Sequence, residues 1–125
     1  MISYKTIQDG VKDVQFYRSE ELSNKYTQYL NELEAENVTT EEIINLQWKN
    51  EFGALYCDDK FYLAKNAFPY EVECQHWLLW YRGNVTKRAI KEICSTYFNE
   101  YEILKNRKKD MSVKGINHYH VFVES

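Results

Sequence analysis

The chain has 125 residues, of which 44% are apolar and 28% charged, values typical of one globular domain with a real core. The net charge of −3 argues against nucleic acid or a membrane surface as a partner. No apolar run approaches the roughly 20 residues of a membrane span. Three widely spaced cysteines and a start without signal-peptide features predict an intracellular protein, in the cytoplasm or nucleus, without disulfides.

We expect a single domain over residues 1–125, with a helical part over about residues 1–52. After Ser19 the apolar residues recur at spacings of three and four, which predicts an amphipathic helix with a stripe of Leu22, Tyr26, Tyr29, Leu30 and Leu33. Thr39 and Glu42 have the spacing of a capping box. They predict the start of a second helix that carries Ile43, Ile44, Leu46 and Trp48.

Over about residues 53–125 the sequence predicts a sheet and one long helix. The segments ALYC, KFYLAKN and CQHWLLWY are short, aromatic and rich in strand-forming residues. Pro69 predicts a turn between the second and third of them. Asn84 or Thr86 would cap the long helix, whose stripe contains Ala89, Ile90, Ile93, Tyr97, Tyr101 and Leu104.

The last strand is predicted over about Ile116–Val123. Before it stands a basic segment with Lys105, Arg107, Lys108, Lys109 and Lys114. We interpret this segment as a solvated loop, with contact to phosphate as the alternative. The order of helices, strands, helix and strand predicts an α+β fold with a small, mostly antiparallel sheet.

Strand alternation predicts where the three histidines of the chain point. In the last strand, His118, His120 and Phe122 share one face, while Tyr119, Val121 and Val123 share the other. We expect the apolar stripes of the helices to pack on the Tyr119 face. In CQHWLLWY, His76 shares a face with Cys74, Leu78 and Trp80. If the two strands are neighbours, all three histidines meet. A histidine on a strand is otherwise more often a hydrogen-bonded structural residue.

Five motifs, in this order along the chain, resemble the fungal N-acetylglucosamine-induced protein 1 family, a domain of unknown function also found in large DNA viruses. They are Arg18-Ser19, Leu46-x-Trp48, a turn from Asn66 to Tyr70, a strand from His76 to Trp80, and His118-x-His120. Ala67 stands where the family usually has Asp. The resemblance identifies relatives of this chain but does not imply a particular reaction.

A weaker resemblance is to the histidine triad superfamily, in which alternating histidines on a closing strand bind nucleotide phosphates. By this resemblance His118 is the first histidine and His120 the middle one, which is the nucleophile in that superfamily. Phe122 replaces the third, and the glycine-rich lead-in is reduced to Gly115. The resemblance therefore implies a histidine-triad-like fold more than the activity.

The best hypothesis from these residues is a pocket that binds or processes a nucleotide, sugar phosphate or other phosphate-bearing molecule. The candidate catalytic residues are His120, His118 and His76, because imidazole acts as nucleophile, acid or base near neutral pH. Arg18 would clamp a phosphate. Asn66 would hydrogen-bond it, and Tyr70 and Trp80 would form an aromatic wall. No cofactor is predicted.

Two alternatives remain open. The first is a non-catalytic regulatory module of viral or fungal type that binds a host or cellular protein. The second is a zinc site, since Cys74, His76, His118 and His120 supply the ligand types of a tetrahedral zinc centre.

Overall fold

The computed structural model describes residues 1–105 and 116–124 of the chain, as four α-helices and five β-strands. The helices are α1 (Tyr4–Gly10), α2 (Glu20–Ala35), α3 (Thr40–Lys49) and α4 (Lys87–Tyr97). The strands are β1 (Ala54–Cys57), β2 (Phe61–Lys65), β3 (Gln75–Arg82), β4 (Tyr101–Lys105) and β5 (Ile116–Val123). A single 3-10 turn, Val11–Asp13, follows α1. The predicted α+β class is confirmed.

Hydroxyl side chains start every α-helix, because each supplies an acceptor for a backbone N–H that lacks a partner in the first turn. The Oγ of Ser19 accepts from the backbone N–H of Leu22 before α2. Thr39 does the same for Glu42 before α3, and Thr86 for Ala89 before α4. Ser3 caps α1, a helix that the sequence patterns did not predict. The predicted starts of α2 and α3 are therefore confirmed, and Thr86 is the cap of α4.

The five strands form one antiparallel sheet in the order β1-β2-β3-β5-β4. Its central pair, β3 and β5, is joined over eight residue pairs, from Gln75 opposite Val123 to Arg82 opposite Ile116. Residues directly opposite each other in an antiparallel pair lie on the same face. This pairing therefore decides which side chains of the two strands meet.

One face of the sheet is covered by α4. Ile90 and Cys94 of the helix are fully buried against Val121 and its neighbours. The sheet side of this core comprises Phe61, Leu63, Leu79, Tyr81, Tyr119, Val121 and Val123. Helix packing on the Tyr119 face is therefore confirmed, and the helix that packs there is α4.

The other face is covered by the N-terminal helices. Trp48 of α3 packs with Tyr62 and Trp80, and Ile7 of α1 packs with Phe122. The histidine face of the sheet is therefore an interior surface between the sheet and these helices.

The prediction that the last helix continues to Leu104 is wrong. α4 ends at Tyr97, and Phe98 turns to an extended conformation that packs its ring against Trp77. Residues Tyr101–Lys105 then form β4, which pairs with β5 from Tyr101 opposite Val123 to Lys105 opposite Tyr119. The stretch YEILK fits a helical stripe and a strand equally well, and pairing with β5 decides in favour of the strand.

Of the predicted basic segment, Lys105 ends β4, whereas Arg107, Lys108, Lys109 and Lys114 lie outside the described residues. So does Gly115. Among the helices of residues 1–105, none is long and apolar enough to cross a membrane.

The packing predicts a large difference between two leucine truncations. Leu79 is 0% exposed at the centre of the sheet, whereas Leu46 is 55% exposed on α3. We expect Leu79→Ala to lower the free energy of unfolding by about 2–5 kcal/mol through lost burial and a cavity. Leu46→Ala should change it by less than about 0.5 kcal/mol. Urea titration followed by circular dichroism measures both, and equal losses would contradict this core assignment.

Candidate functional site

The three histidines lie on one face of the sheet, as strand alternation predicts. Across β3 and β5, His76 is opposite Phe122, Leu78 is opposite His120, and Trp80 is opposite His118. The His76 and His120 ring centres are 5.0 Å apart, and those of His118 and His120 are 5.1 Å apart. The three imidazoles therefore form one continuous cluster.

A cavity of about 360 Å³ lies between this face and the helices α2 and α3. Its size is within the range of small-molecule sites. Five of the seven candidate residues from the sequence line it, namely Arg18, Asn66, Trp80, His118 and His120. The other two, His76 and Tyr70, lie behind His120. Residues that sequence reasoning missed complete the wall, among them Tyr26, Tyr29, Ile44, Gln47, Phe52 and Phe68.

A chain of hydrogen bonds leads from the backbone to the cavity. The backbone N–H of Tyr70 donates to Nδ1 of His76 at 3.1 Å. Nε2 of His76 is 2.8 Å from Nδ1 of His120. His76 and His120 are only 4% and 5% exposed, so both rings are withdrawn from bulk solvent. Both nitrogens of His76 are thus engaged.

Nε2 of His120 and both nitrogens of His118 form no hydrogen bond within residues 1–105 and 116–124. In this described part, every fully buried side-chain nitrogen or oxygen has a partner. The three unpaired nitrogens must therefore be accessible, and both rings line the cavity. These nitrogens are the polar groups that the cluster offers to a ligand.

Arg18, just before the N-cap of α2, brings a cation to the cavity wall. Its Nε donates to the carbonyl oxygen of Phe68 at 2.8 Å. Its guanidinium carbon lies 4.4 Å from the ring centre of Tyr26 and 5.1 Å from that of Tyr70, which are cation–π distances. Within the described residues it forms no ion pair with a carboxylate. The guanidinium is held in place, and no side chain of the described residues neutralises its charge.

Aromatic rings from α2 and the turn before β3 form the wall beside Arg18. Phe68 lies 5.0 Å from Tyr26 and 5.2 Å from Tyr29, measured between ring centres. Oδ1 of Asn66 accepts from the backbone N–H of Phe68 at 2.9 Å, which holds the turn. Tyr26 and Tyr29 lie on one helical stripe, so the stripe predicted for packing also serves the cavity.

Among the described residues that line the cavity there is no aspartate or glutamate. Lys65 contributes to the wall, but its ammonium lies 5.6 Å from the ring centre of Trp77, a residue of the α4 face. Of the cations in residues 1–105 and 116–124, Arg18 is therefore the one that acts on the cavity. An anion fits this electrostatic environment better than a cation does.

Burial keeps the histidines neutral at pH 7. It lowers the pKa of His118 to about 4. It also lowers the pKa of His76 to about 3, with further lowering by Arg18 and His118. The pKa of His120 falls to about 2, mainly through burial and then through His76, His118 and Arg18. The imidazoles therefore bring hydrogen-bonding groups and no positive charge to the cavity.

The zinc alternative is not supported by this geometry. Among residues 1–105 and 116–124, no group of three or more histidine, cysteine or acidic side chains is arranged to hold a metal ion. His76 uses both nitrogens in hydrogen bonds. Cys74 packs in the apolar cluster around Ile7, and burial raises the pKa of its thiol to about 11, which disfavours the thiolate that zinc requires.

The neutral histidines predict that acid destabilises the fold. Below pH 6.5 the unfolded chain binds protons that the folded histidines do not, so stability falls as pH falls. We expect the loss of unfolding free energy between pH 7 and pH 5 to be about 2 kcal/mol smaller in His118→Gln than in the wild type. Urea titration at both pH values measures it. The same pH dependence in both proteins would contradict a neutral His118 in the folded state.

Comparison with known proteins shows the fold and the family. No curated protein is significantly similar to the chain. A crystal structure of a protein called HTC1 matches it with a TM-score of 0.71 and 14% identity, over 100% of this chain and 86% of that chain. At this identity the likeness concerns the fold alone. The family model described as "Protein of unknown function (DUF3605)" matches residues 3–124. The chain therefore belongs to the DUF3605 family of proteins of unknown function.

Proposed function

We propose that the cavity binds a small phosphate-bearing molecule, of the class of nucleotides and sugar phosphates. The observation that carries this proposal is the guanidinium of Arg18, which lies in the wall of a cavity whose described lining residues include no acidic side chain. A cation that is withdrawn from carboxylates is stabilised when an anion enters. A phosphate is the anion for which the forked guanidinium offers parallel hydrogen bonds.

The geometry of Arg18 supports this role over a purely structural one. Its Nε is used by the carbonyl oxygen of Phe68, and its plane is fixed by the rings of Tyr26 and Tyr70. The terminal Nη groups form no hydrogen bond with a described residue. A preorganised side chain loses little conformational entropy when it binds, so its contacts contribute more to affinity.

The histidines supply the polar contacts of the proposed site. Nε2 of His120 and the ring nitrogens of His118 form no hydrogen bond with a described residue, and both rings line the cavity. Asn66 uses its Oδ1 in the turn, which leaves its amide N–H groups for a ligand. The prediction that these histidines are catalytic stays a prediction, and we assign them to binding.

The aromatic part of the wall suits the organic portion of such a ligand. Tyr26, Tyr29, Phe68 and Trp80 present apolar ring surface around the cavity. Sugar and base rings bury apolar area against such surfaces. The proposed ligand therefore combines a phosphate at Arg18 with a ring among these side chains. The resemblance of the closing strand to the histidine triad superfamily is consistent with this class of ligand.

A second candidate function is docking of a protein segment, as expected for a regulatory module. Phe52 supports it, because its ring lines the cavity and is nevertheless 68% exposed. Exposed rings of this size at the rim of a cleft are typical of interaction surfaces. Binding of small phosphates and its dependence on Arg18 distinguish the first candidate from the second.

The proposal predicts that small phosphates bind through Arg18. Isothermal titration with inorganic phosphate, ribose 5-phosphate and nucleoside monophosphates should give measurable affinity in the wild type. Loss of a charged hydrogen-bond partner corresponds to roughly a 10- to 100-fold weaker affinity in Arg18→Gln. Arg88→Gln is the matched control, because Arg88 is exposed on α4 and pairs with Glu92. No binding by the wild type, or equal affinities in all three proteins, would refute the proposal.

The neutral histidines predict a direction for the pH dependence of binding. The second pKa of a phosphate monoester is about 6, so the dianion fraction rises between pH 5.5 and pH 7.5. With the charge of Arg18 constant, affinity for ribose 5-phosphate should rise several-fold over this interval. A site that depended on protonated histidine would lose affinity instead. Isothermal titration at the two pH values separates these outcomes.

A further inference from the structure

We infer that His76 and the backbone N–H of Tyr70 fix the tautomer of His120, so that its Nε2 presents a proton to the cavity. His120 is then a hydrogen-bond donor to an acceptor oxygen of the ligand and not a nucleophile. This inference deepens the proposed function. It rests on that function for the nature of the ligand, while the tautomer itself is a property of the protein without a ligand.

The chain of hydrogen bonds has one direction, which is set at Tyr70. A backbone N–H can only donate. Because it donates to Nδ1 of His76 at 3.1 Å, that nitrogen accepts and carries no proton. A neutral imidazole has one protonated nitrogen, so the proton of His76 is on Nε2.

The proton position on His76 in turn determines the proton position on His120. Nε2–H of His76 faces Nδ1 of His120 at 2.8 Å and donates to it. Nδ1 of His120 therefore accepts and carries no proton. By the same rule as before, the proton of His120 is on Nε2, which is not fully buried and belongs to a ring that lines the cavity.

Protonation of His120 would break this arrangement. A proton on Nδ1 of His120 would face the proton on Nε2 of His76 across 2.8 Å. His76 cannot move its own proton to Nδ1, because the N–H of Tyr70 occupies that position. Both rings are buried, so a charge there would also lose its hydration. The geometry thus favours the neutral pair with one proton order.

Ring stacking keeps the imidazoles in place. Tyr70 stacks on His76 and His120 with ring centres 4.8 Å and 5.3 Å apart. Phe122 stacks on His76 at 4.7 Å, on the neighbouring strand. Rotation of either ring out of this stack would cost packing as well as hydrogen bonds. The tautomer of His120 is therefore held by the peptide N–H of Tyr70, by His76, and by the rings of Tyr70 and Phe122 that stack on the imidazoles.

The fixed tautomer of His120 has a chemical consequence. Nucleophilic attack on phosphorus needs a lone pair on the attacking nitrogen, and the cavity-facing Nε2 of His120 carries a proton instead. Nδ1, which has the lone pair, is covered by His76. The site therefore selects ligands with acceptor oxygens, as in phosphate or sulfate groups, and disfavours ammonium groups. His76 is a positioning residue, since it acts on the ligand through His120.

The first test reads the tautomer directly, without any ligand. In uniformly ¹⁵N-labelled protein at pH 7, two-bond ¹⁵N–¹H spectra distinguish the two neutral tautomers of each histidine. We expect His120 and His76 both as the Nε2–H form, with Nδ1 unprotonated. An Nδ1–H form or a charged ring at His120 would overturn the inference whether or not phosphate binds.

The second test uses a matched pair of variants. His76→Gln keeps an N–H donor for His120 and an acceptor for Tyr70, so we expect the Nε2–H form of His120 to persist. His76→Leu removes both, so His120 should become a mixture of tautomers. Affinity for inorganic phosphate should fall roughly three- to tenfold in His76→Leu, the effect of one hydrogen bond, and be largely kept in His76→Gln. A pure Nε2–H tautomer of His120 in His76→Leu would show that His76 does not set it.

A third measurement tests the absence of nucleophilic reactivity. Wild-type protein is incubated with phosphoramidate, a small phosphoryl donor, and analysed by mass spectrometry under alkaline conditions that preserve phosphohistidine. We expect no phosphate on His120. Its stoichiometric phosphorylation at Nε2 would overturn the inference, while the proposed phosphate binding would stand.

Discussion

The antiparallel pairing of β3 with β5 is the constraint on which the rest of the structure depends. Its register places His76, His118 and His120 on one face and Leu79, Tyr119 and Val121 on the other. A shift by one residue would exchange the two faces and bring the imidazoles into the apolar core under α4. Burial of the apolar side chains under α4 fixes this register and therefore also the face on which the histidines lie. The same strand pairing thus stabilises the fold and forms the candidate site.

Burial then changes what the histidines can do. In water an imidazole exchanges protons near neutral pH, but here enclosure by helices, sheet and neighbouring rings lowers the pKa of all three. In the proposed site the histidines contribute hydrogen-bond donors and acceptors, while Arg18 contributes the positive charge. Because the charge and the hydrogen-bonding groups belong to different residues, the proposed site binds an anion without an unpaired ion buried among the histidines.

Local patterns predicted much of the fold because they reflect short-range physics. Strand alternation placed the histidines correctly, and the hydroxyl of Thr39 marked a helix start that the structure confirms. Patterns failed where two periodicities fit the same residues. Tyr101 and Leu104 extend a helical stripe, yet they lie in β4, because β5 offers an unpaired edge that only the assembled sheet presents. The short helix α1 carried too little periodic signal to be predicted.

By itself, the sequence determined the α+β class, the segment from Ile116 to Val123 as the closing strand, and the shared face of His118 and His120. These follow from side-chain alternation and composition, which do not depend on distant residues. Tertiary structure alone decided that His76 lies behind His120, that the backbone N–H of Tyr70 donates to His76, and that Arg18 lines the cavity without an ion pair to a described carboxylate. The His76–His120 and Arg18–Phe68 hydrogen bonds join residues 44 and 50 positions apart. Such contacts depend on how strands pair and helices pack over the sheet, which no local pattern records.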